Sequence, residues 1–210
     1  MFTNWAGEEE ITIGHQYILE DFGMSIDWTA YKFSDKISVS GTFQEYTLNE
    51  KNSSGSIENI LRGLHVAIPT ESIITNNAIQ DFKIKTYFFK VLKTPTITGI
   101  IIDASQGRGD ILLKMNNMSF KNPYSYSLEN DVIILTTHLD LKNWKAEEAM
   151  AVLNHQWSGD YKEDELLLNV WPEIDVTIKI PVNKILKINP TVLVYKRIDV
   201  LGKKAVGLNE

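Results

Sequence analysis

The chain has 210 residues, an apolar fraction of 43% and a formal net charge of −6, a balance typical of one globular domain with a sizeable core and not of a disordered chain. Lys and Arg are scattered along the sequence, which argues against a nucleic-acid interface. There is no cysteine, so disulfide scaffolds, thiolate zinc sites, cysteine nucleophiles and iron–sulfur clusters are excluded.

Residues 1–23 form an N-terminal segment ahead of the first clear strand pattern. The segment has neither the basic region nor the apolar stretch of a signal peptide. No run in the chain approaches the roughly 18 apolar residues that a membrane span requires. Two interpretations follow: the protein stays in the cytoplasm, or this is a processed chain from which a leader has been removed.

Alternation of apolar and polar residues dominates the rest of the chain and predicts half-buried strands. Four runs place their apolar members on one parity: Ile37, Val39 and Phe43; Met118, Phe120, Tyr124, Tyr126 and Leu128; Ile133, Leu135, Leu139 and Leu141; and Ile174, Val176, Ile178, Ile180 and Val182. The parity slips between Ala30 and Tyr31, which predicts a β-bulge or a corner. A hairpin turn is expected at residues 107–109. Many short antiparallel strands with polar turns predict a sandwich or a barrel.

One stretch, near residues 143–155, predicts an amphipathic helix. Its apolar residues have the i, i+3, i+4, i+7 spacing of a buried helical face: Ala146, Ala149, Met150 and Leu153. Asn143 is the expected N-cap, and the acidic pair at 147–148 suits the first turn. This helix should close one end of a barrel or pack outside it.

Residues 72–97 carry the most particular pattern of the chain. It runs Ser72-Ile73-Ile74-Thr75, Asn76-Asn77, Asp81, Phe88-Phe89, Pro95 and Ile97. Asn76 or Asn77 can cap a short polar helical turn between two extended segments. The two phenylalanines then pin its exit, and Pro95 prevents any helix from continuing. This pattern resembles the signature of the YceI-like family, the lipocalin-like polyisoprenoid-binding proteins of bacteria.

The resemblance covers residues 24–182. Met24 to Phe43 resembles the opening hairpin of the family, Gly109 to Leu112 the strand after the signature, and Asp175 to Val182 the closing strand. It implies a mainly β fold: an antiparallel eight-stranded lipocalin-like β-barrel with one amphipathic helix and a short helical turn. It also implies export, to the periplasm or outside the cell. Residues 183–210 would be a C-terminal extension with one further strand.

Residues suited to catalysis are few. His15, His65, His138 and His155 lack metal-ligand spacing, and no nucleophile elbow, dinucleotide fingerprint or phosphate loop occurs. His138 and Asp140 share one strand face and could form an imidazole–carboxylate pair, or belong to a solvated face. The acidic clusters at 8–10 and 163–165 are interpreted as solvated charge, with calcium at one of them as the alternative. The chain is therefore predicted to be neither an enzyme nor a metalloprotein.

An eight-stranded barrel can be filled by its side chains or hold one small ligand. Aromatic and aliphatic walls suit isoprene units, which need no polar partner. Fourteen residues form the predicted ligand-binding wall: Trp28, Phe43, Val66, Ile68, Phe88, Phe89, Ile97, Leu113, Phe120, Tyr126, Leu135, Leu139, Val176 and Ile178.

The function that the resemblance implies is passive binding, transport or sequestration of a polyisoprenoid or similar long-chain lipid in an apolar barrel cavity. The expected occupant is an isoprenoid lipid or a quinone, with no other cofactor and no nucleic acid; a homodimer is left open. Two alternatives remain. One is a side-chain-filled barrel that acts as a structural or protein-interaction module. The other is a lipocalin-like enzyme, such as an isomerase, with His138 and Asp140 facing a cavity.

Overall fold

The computed structural model describes residues 16–20, 23–32, 35–49, 52–158 and 170–185. The strands are β1 (Gln16–Leu19), β2 (Ser25–Lys32), β3 (Ile37–Phe43), β4 (Thr47–Asn49), β5 (Ser54–Gly55), β6 (His65–Pro69), β7 (Ile73–Ile74), β8 (Thr96–Ser105), β9 (Arg108–Met115), β10 (Met118–Glu129), β11 (Val132–Asp140) and β12 (Val170–Ile185). The helices are α1 (Ile57–Leu61), α2 (Ala78–Lys83) with its π-helical continuation (Ile84–Phe89), and α3 (Glu147–Ser158). Two 3-10 turns cover Thr70–Ser72 and Leu141–Trp144.

Several predictions concern residues outside these ranges. They are the acidic clusters at 8–10 and 163–165, His15, and the strand expected in the extension beyond residue 185. None of the helices in the described part of the chain is long and apolar enough to cross a membrane.

The strands form one curled antiparallel sheet in the order β4-β6-β8-β9-β10-β11-β12-β2-β3-β7, with β1 and β5 attached to it through β12. The predicted mainly β, antiparallel fold is confirmed. The predicted count of eight strands is not, since the sheet contains twelve. Among the described residues no pairing joins β4 to β7, so the sheet is curled and not closed by hydrogen bonds. Strands of two or three residues are too short to show alternation, which is why the sequence pattern did not reveal β4, β5 and β7.

β12 is the longest strand and connects β11 to β2 and β1 within the sheet. Its 16 residues pair with β11 on one side and with β2 and then β1 on the other. β1 belongs to the segment that was expected to precede the barrel, yet it pairs with β12 at residues 182–185. The register between β12 and β2 shifts between Val170 and Ile174, opposite Lys32 and Ala30. The predicted irregularity near Ala30 is therefore present, with the extra residues on β12.

Three hairpins join β8 through β11, and each turn has two central residues with positive φ. The pairs are Gln106-Gly107, Asn116-Asn117 and Asn130-Asp131. This geometry is the type I′ turn, whose twist matches that of the flanking strands. The hairpin expected at 107–109 is confirmed, one residue earlier in the chain.

The segment between β7 and β8 is helical for longer than predicted. Asn77 Oδ1 accepts hydrogen bonds from the backbone N–H groups of Ile79 at 3.0 Å and Gln80 at 3.2 Å, so the predicted cap is confirmed at Asn77. Asp81 Oδ1 accepts from Thr75 N at 2.7 Å and from Thr75 Oγ1 at 2.6 Å. The helix then continues to Phe89. The extended exit predicted there is wrong, because burial of the helix overrides the local preference of aromatic residues for strands.

The amphipathic helix is present as α3, and its predicted apolar face is buried: Ala146, Ala149, Met150 and Leu153. The predicted cap at Asn143 is wrong. Asn143 lies in the preceding 3-10 turn, which ends at Lys145 with a left-handed φ of 53°. The carbonyl of Ala146 instead accepts from Met150 N at 2.9 Å.

Removal of the Asn77 cap should weaken the fold measurably. Asn77→Ala is expected to lower the free energy of unfolding by about 1 kcal/mol, because two backbone donors lose their partner. Asn77→Asp keeps an acceptor beside the positive end of the helix and should stay close to the parent protein. Urea unfolding followed by circular dichroism gives both values; equal stability of Asn77→Ala and the parent would contradict the assigned cap.

Candidate functional site

The concave face of the sheet and two helical segments enclose an apolar cavity of about 120 Å³. We call residues 78–89 together with α3 the helical cap, and the space beneath it the cap cavity. The cavity is lined by Trp28, Ala30, Tyr31, Lys32, Val39, Phe43, Ile73, Ile84, Phe88, Phe89, Ile97, Met115, Leu139, Leu141, Leu153, Trp157, Val170, Ile174 and Val176. Of these described residues Lys32 is the only charged one.

The π-helical turn supplies one aromatic wall of this cavity. A π turn is wider than an α turn and commonly marks a functional position. Here Ile84, Phe88 and Phe89 are all buried on the side that faces the sheet. The Phe88 and Phe89 rings meet edge to face with centroids 5.1 Å apart, and Phe89 lies 6.4 Å from the ring of Phe43. Such edge-to-face contacts favour a fixed arrangement of the rings.

Trp28 forms the opposing wall and owes its position to Gly41. A Cβ at Gly41 would lie 2.4 Å from Cζ2 of Trp28 and 2.4 Å from the carbonyl oxygen of Ile74. The indole therefore lies over β3 only because residue 41 has no side chain. Trp28 Nε1 is buried and has no hydrogen-bond partner among the described residues, so packing alone holds this ring.

The C-terminal half of α3 joins the sheet and the other helix through a few polar contacts. Asn154 Oδ1 accepts from Val170 N at 3.0 Å, and Lys83 Nζ donates to the carbonyl of Gln156 at 2.9 Å. The ammonium of Lys32 lies 5.5 Å from the centroid of the Trp157 ring, within cation–π range. Partial burial lowers the pKa of Lys32. A cationic side chain thus borders an otherwise apolar space.

The predicted wall residues divide into three groups. Seven of the fourteen line the cap cavity: Trp28, Phe43, Phe88, Phe89, Ile97, Leu139 and Val176. Three others line a second cavity of about 20 Å³: Val66, Leu135 and Ile178. The remaining four line neither cavity: Ile68, Leu113, Phe120 and Tyr126.

Each of those four has another role. Ile68 and Leu113 are buried core residues. Tyr126 donates from its hydroxyl to Glu58 Oε1 at 3.0 Å. Phe120 is 40% exposed and packs edge to face on Trp144. These four residues lie outside both cavities, because alternation identifies the inward face of a strand but not the level at which a side chain meets a cavity.

Several lining residues were not predicted from the sequence, although some of them carried a detectable signal. Leu153 and Trp157 lie four apart on α3, so the helical spacing already placed both on one face. The position of Ile84 in the lining depends on the helical conformation of its segment. Because that segment was predicted to be extended, the sequence did not place Ile84 there. Val39 was already on the predicted apolar side of its strand with Phe43, whereas its cross-strand partner Ala30 gave no separate signal.

His138 lies on the outer face of the sheet, away from the cavity. Its Nδ1 is 2.7 Å from Asp175 Oδ1, and the Tyr31 hydroxyl donates to Asp175 Oδ2 at 2.5 Å. The bond to His138, followed by that to Tyr31, lowers the pKa of Asp175. Asp140 instead accepts from Lys142 N at 3.0 Å and caps a 3-10 turn.

The predicted His138–Asp140 pair does not form, and 60% of the His138 side chain is exposed. The enzyme alternative therefore lacks the pair on which it was based, because His138 contacts Asp175 and Asp140 contacts Lys142. The described residues also contain no group of three or more His, Asp or Glu side chains arranged to hold a metal ion.

The size of the cap cavity limits what it can contain without movement of its walls. A dry engineered cavity of about 150 Å³ holds one benzene molecule. At about 120 Å³, the cap cavity matches one small branched hydrocarbon group and not a long chain. The second cavity, of about 20 Å³, is too small for such a group. The two cavities share no lining residue, so the interior is divided between them.

Comparison with solved structures shows that this fold is shared. A polyisoprenoid-binding domain from Saccharophagus degradans, implicated in plant cell wall breakdown, has a TM-score of 0.56 at 11% identity and covers 80% of this chain and 97% of its own. Burkholderia cenocepacia BcnA has a TM-score of 0.53 at 9% identity, over 79% of this chain and 99% of its own. A Campylobacter jejuni YceI protein has a TM-score of 0.43 at 17% identity, over 72% of this chain and 86% of its own.

No protein-family model and no curated protein matches the chain in sequence. At 9–11% identity the first two structures establish a common fold and nothing finer. The resemblance predicted from residues 72–97 is thus confirmed at the level of the fold.

The dependence of Trp28 on Gly41 can be tested by one methyl group. Gly41→Ala should lower the free energy of unfolding by about 1–3 kcal/mol, since neither the Ile74 carbonyl nor the indole can move without disturbing the sheet. Gly99→Ala is the matched control, because its new Cβ would meet at 3.0 Å the flexible end of Leu113. Denaturant unfolding compares the two; an equal cost would contradict the tight contact at Gly41.

The Asp175 network predicts a dependence of stability on pH. Because the pKa of Asp175 is lowered in the folded state, its contribution is present above the ordinary value of 3.8 and is lost as the pH falls through the lowered one. The stability difference between the parent and Asp175→Asn should therefore shrink from about pH 5 to about pH 2, by less than about 1 kcal/mol for so exposed a group. Asp35→Asn is the control. A stability difference between the parent and Asp175→Asn that grows toward low pH would contradict the network.

Proposed function

We propose that this protein binds the apolar chain of an isoprenoid lipid, without chemical conversion, in the cap cavity. The observation that carries the proposal is the aromatic and aliphatic lining of that cavity beneath two helical segments, in which Lys32 is the one charged residue described. The Saccharophagus domain with the same fold is described as polyisoprenoid-binding. The binding free energy would come from removal of apolar surface from water, at roughly 25 cal/mol for each Å².

Binding of more than one isoprene unit requires the helical cap to move. The cavity volume of about 120 Å³ accepts a single branched unit. We infer that α3 is the moving part, because its side toward the cavity packs through the apolar side chains of Leu153 and Trp157, and a hydrocarbon ligand offers contacts of the same kind.

Lys32 gives the ligand an orientation. It is the one charged residue at the lining, and it lies beside Trp157 at the C-terminal end of α3. A ligand whose tail enters the cavity would place its polar end near this ammonium, where a quinone carbonyl or a phosphate could accept a hydrogen bond. The described lining holds no carboxylate, imidazole or aliphatic hydroxyl, which supports a holding role. Export to the periplasm or beyond remains part of the proposal.

A second candidate function is favoured by the small cavity volumes. An interior divided into spaces of about 120 and 20 Å³ is close to a core filled by side chains. In that case the protein would be a structural or interaction module. The binding measurements below separate the two candidates.

The length dependence of ligand affinity tests whether the cap opens. Prenyl alcohols of one, two, four and eight isoprene units should bind the purified full chain with affinity that rises at least as far as four units, measured by tryptophan fluorescence. Organic extraction of the purified protein with mass spectrometry provides an independent readout. Affinity that stops rising after one unit would show that the cap stays closed, and failure to bind any of the alcohols would favour the filled module.

Filling the cavity tests where the ligand lies. Val39→Phe places a larger ring in the lining and should reduce affinity for the four-unit alcohol at least tenfold, because the ring competes for the same space. Ser38→Phe is the matched control, since Ser38 is the exposed neighbour on the opposite face of β3. Thermal unfolding of both variants verifies that they fold. Equal affinity of Val39→Phe and Ser38→Phe would place the ligand elsewhere.

A further inference from the structure

The outward side of the helical segment 78–89 is unusually apolar for an exposed surface. Ile79 is 68% exposed and Phe82 is 59% exposed, the two highest values among the large apolar side chains described. They lie three residues apart and hence on one side of α2. The Tyr87 ring contacts Phe82 edge to face with centroids 6.1 Å apart, which holds the exposed ring in place. No residue of α2 is buried.

Lysines accompany these apolar residues. Lys83, Lys85, Lys90 and Lys93 fall within twelve residues, and no acidic residue occurs between positions 82 and 93, in a chain whose net charge is −6. Lys85, Lys90 and Lys93 form no ion pair with any described residue. Their positive charge is therefore not neutralised within the described part of the fold. A local concentration of one charge in a protein of opposite net charge indicates an electrostatic binding surface.

This surface adjoins the cap cavity. Lys83 donates to the carbonyl of Gln156, and the next residue, Trp157, lines the cavity. On the inner side of the same helical segment, Ile84, Phe88 and Phe89 also line it. One segment thus presents apolar side chains to the solvent on its outer side and to the cavity on its inner side.

We propose that the surface formed by Ile79, Phe82, Lys85, Lys90 and Lys93 docks on an anionic lipid bilayer. A helical segment that combines exposed aromatic and aliphatic residues with lysines lies in the headgroup region of a membrane, with its apolar side chains in the acyl boundary. Each lysine near an anionic membrane surface strengthens binding about fivefold. An acidic protein partner would satisfy the lysines, but the aliphatic chains of a bilayer also accommodate Ile79 and Phe82. Membrane docking does not depend on whether the cavity binds a ligand. The use of docking to load the cavity rests on the proposed function.

Vesicle binding tests the docking surface. The full chain, freed of lipid by organic extraction and refolding, is mixed with vesicles of phosphatidylglycerol and phosphatidylcholine or of phosphatidylcholine alone. Flotation on a density gradient then separates bound from free protein. We expect binding to the anionic vesicles that weakens as salt rises from about 50 to about 500 mM, since salt screens exposed charges. Absence of binding to anionic vesicles at low salt, or equal binding to both vesicle types, would overturn the proposal.

Matched variants assign the binding to these residues. Lys90→Glu reverses one charge of the surface and should weaken binding about 30-fold, whereas Lys184→Glu makes the same change at an exposed position on β12 and should have little effect. Ile79→Ser should weaken binding, whereas Ile102→Ser, at a 43% exposed position on β8, should not. Equal losses in a variant and its control would overturn the assignment.

Two further measurements separate this proposal from the proposed function and from a second copy as occupant. Val39→Phe should float with anionic vesicles like the parent, because the cavity does not contribute to docking. A parent protein that floats but takes up no prenyl alcohol retains the docking surface and loses the carrier function. Sedimentation equilibrium of the parent and of Phe82→Ser completes the test. A dimer that Phe82→Ser abolishes, without vesicle binding by the parent, would overturn the membrane assignment in favour of self-association.

Discussion

The arrangement of this protein depends on how residues 72–89 fix a helix against the concave face of an incompletely closed sheet. Asp81 holds Thr75 through two hydrogen bonds, and Asn77 caps the two backbone donors that follow. These four contacts determine where the helix begins and in which direction it runs. The π turn then brings Ile84, Phe88 and Phe89 to the interior. Without this segment one side of the cap cavity would be open to water.

The interior is divided into two cavities, and this division limits the length of the ligand that can bind. The cap cavity and the smaller second cavity belong to different levels of the same curled sheet. The two cavities share no lining residue, and core residues such as Ile133 and Leu135 are fully buried. A long ligand would therefore enter only with displacement of the helical cap, whose packing is apolar on its inner side. The outward side of the same helical segment carries exposed apolar residues and lysines, so ligand uptake and membrane contact would involve a single element of the fold.

Polar chemistry is kept apart from this apolar interior. The His138–Asp175–Tyr31 network joins β11, β12 and β2 on the outer face, where solvent reduces its contribution to stability. Lys32 occupies the boundary between the two regions, with its stem at the cavity and its ammonium beside Trp157. Long cationic side chains commonly take this position because the stem packs against apolar surface while the charge remains near water. The separation leaves the cavity with an almost entirely apolar lining.

The sequence by itself determined the class of fold, the inward face of the long strands, the buried face of α3 and a helix cap at Asn76 or Asn77. Each of these follows from local spacing or from a bond between residues close in the chain. Only the tertiary structure decided the number of strands, the helical continuation through Phe88 and Phe89, and the level of each inward side chain. Those features depend on contacts between distant residues: Gly41 admits the ring of Trp28, and β1 pairs with the far end of β12. Alternation tells which side of a strand is inside, but the volume left inside is set by how all the walls meet.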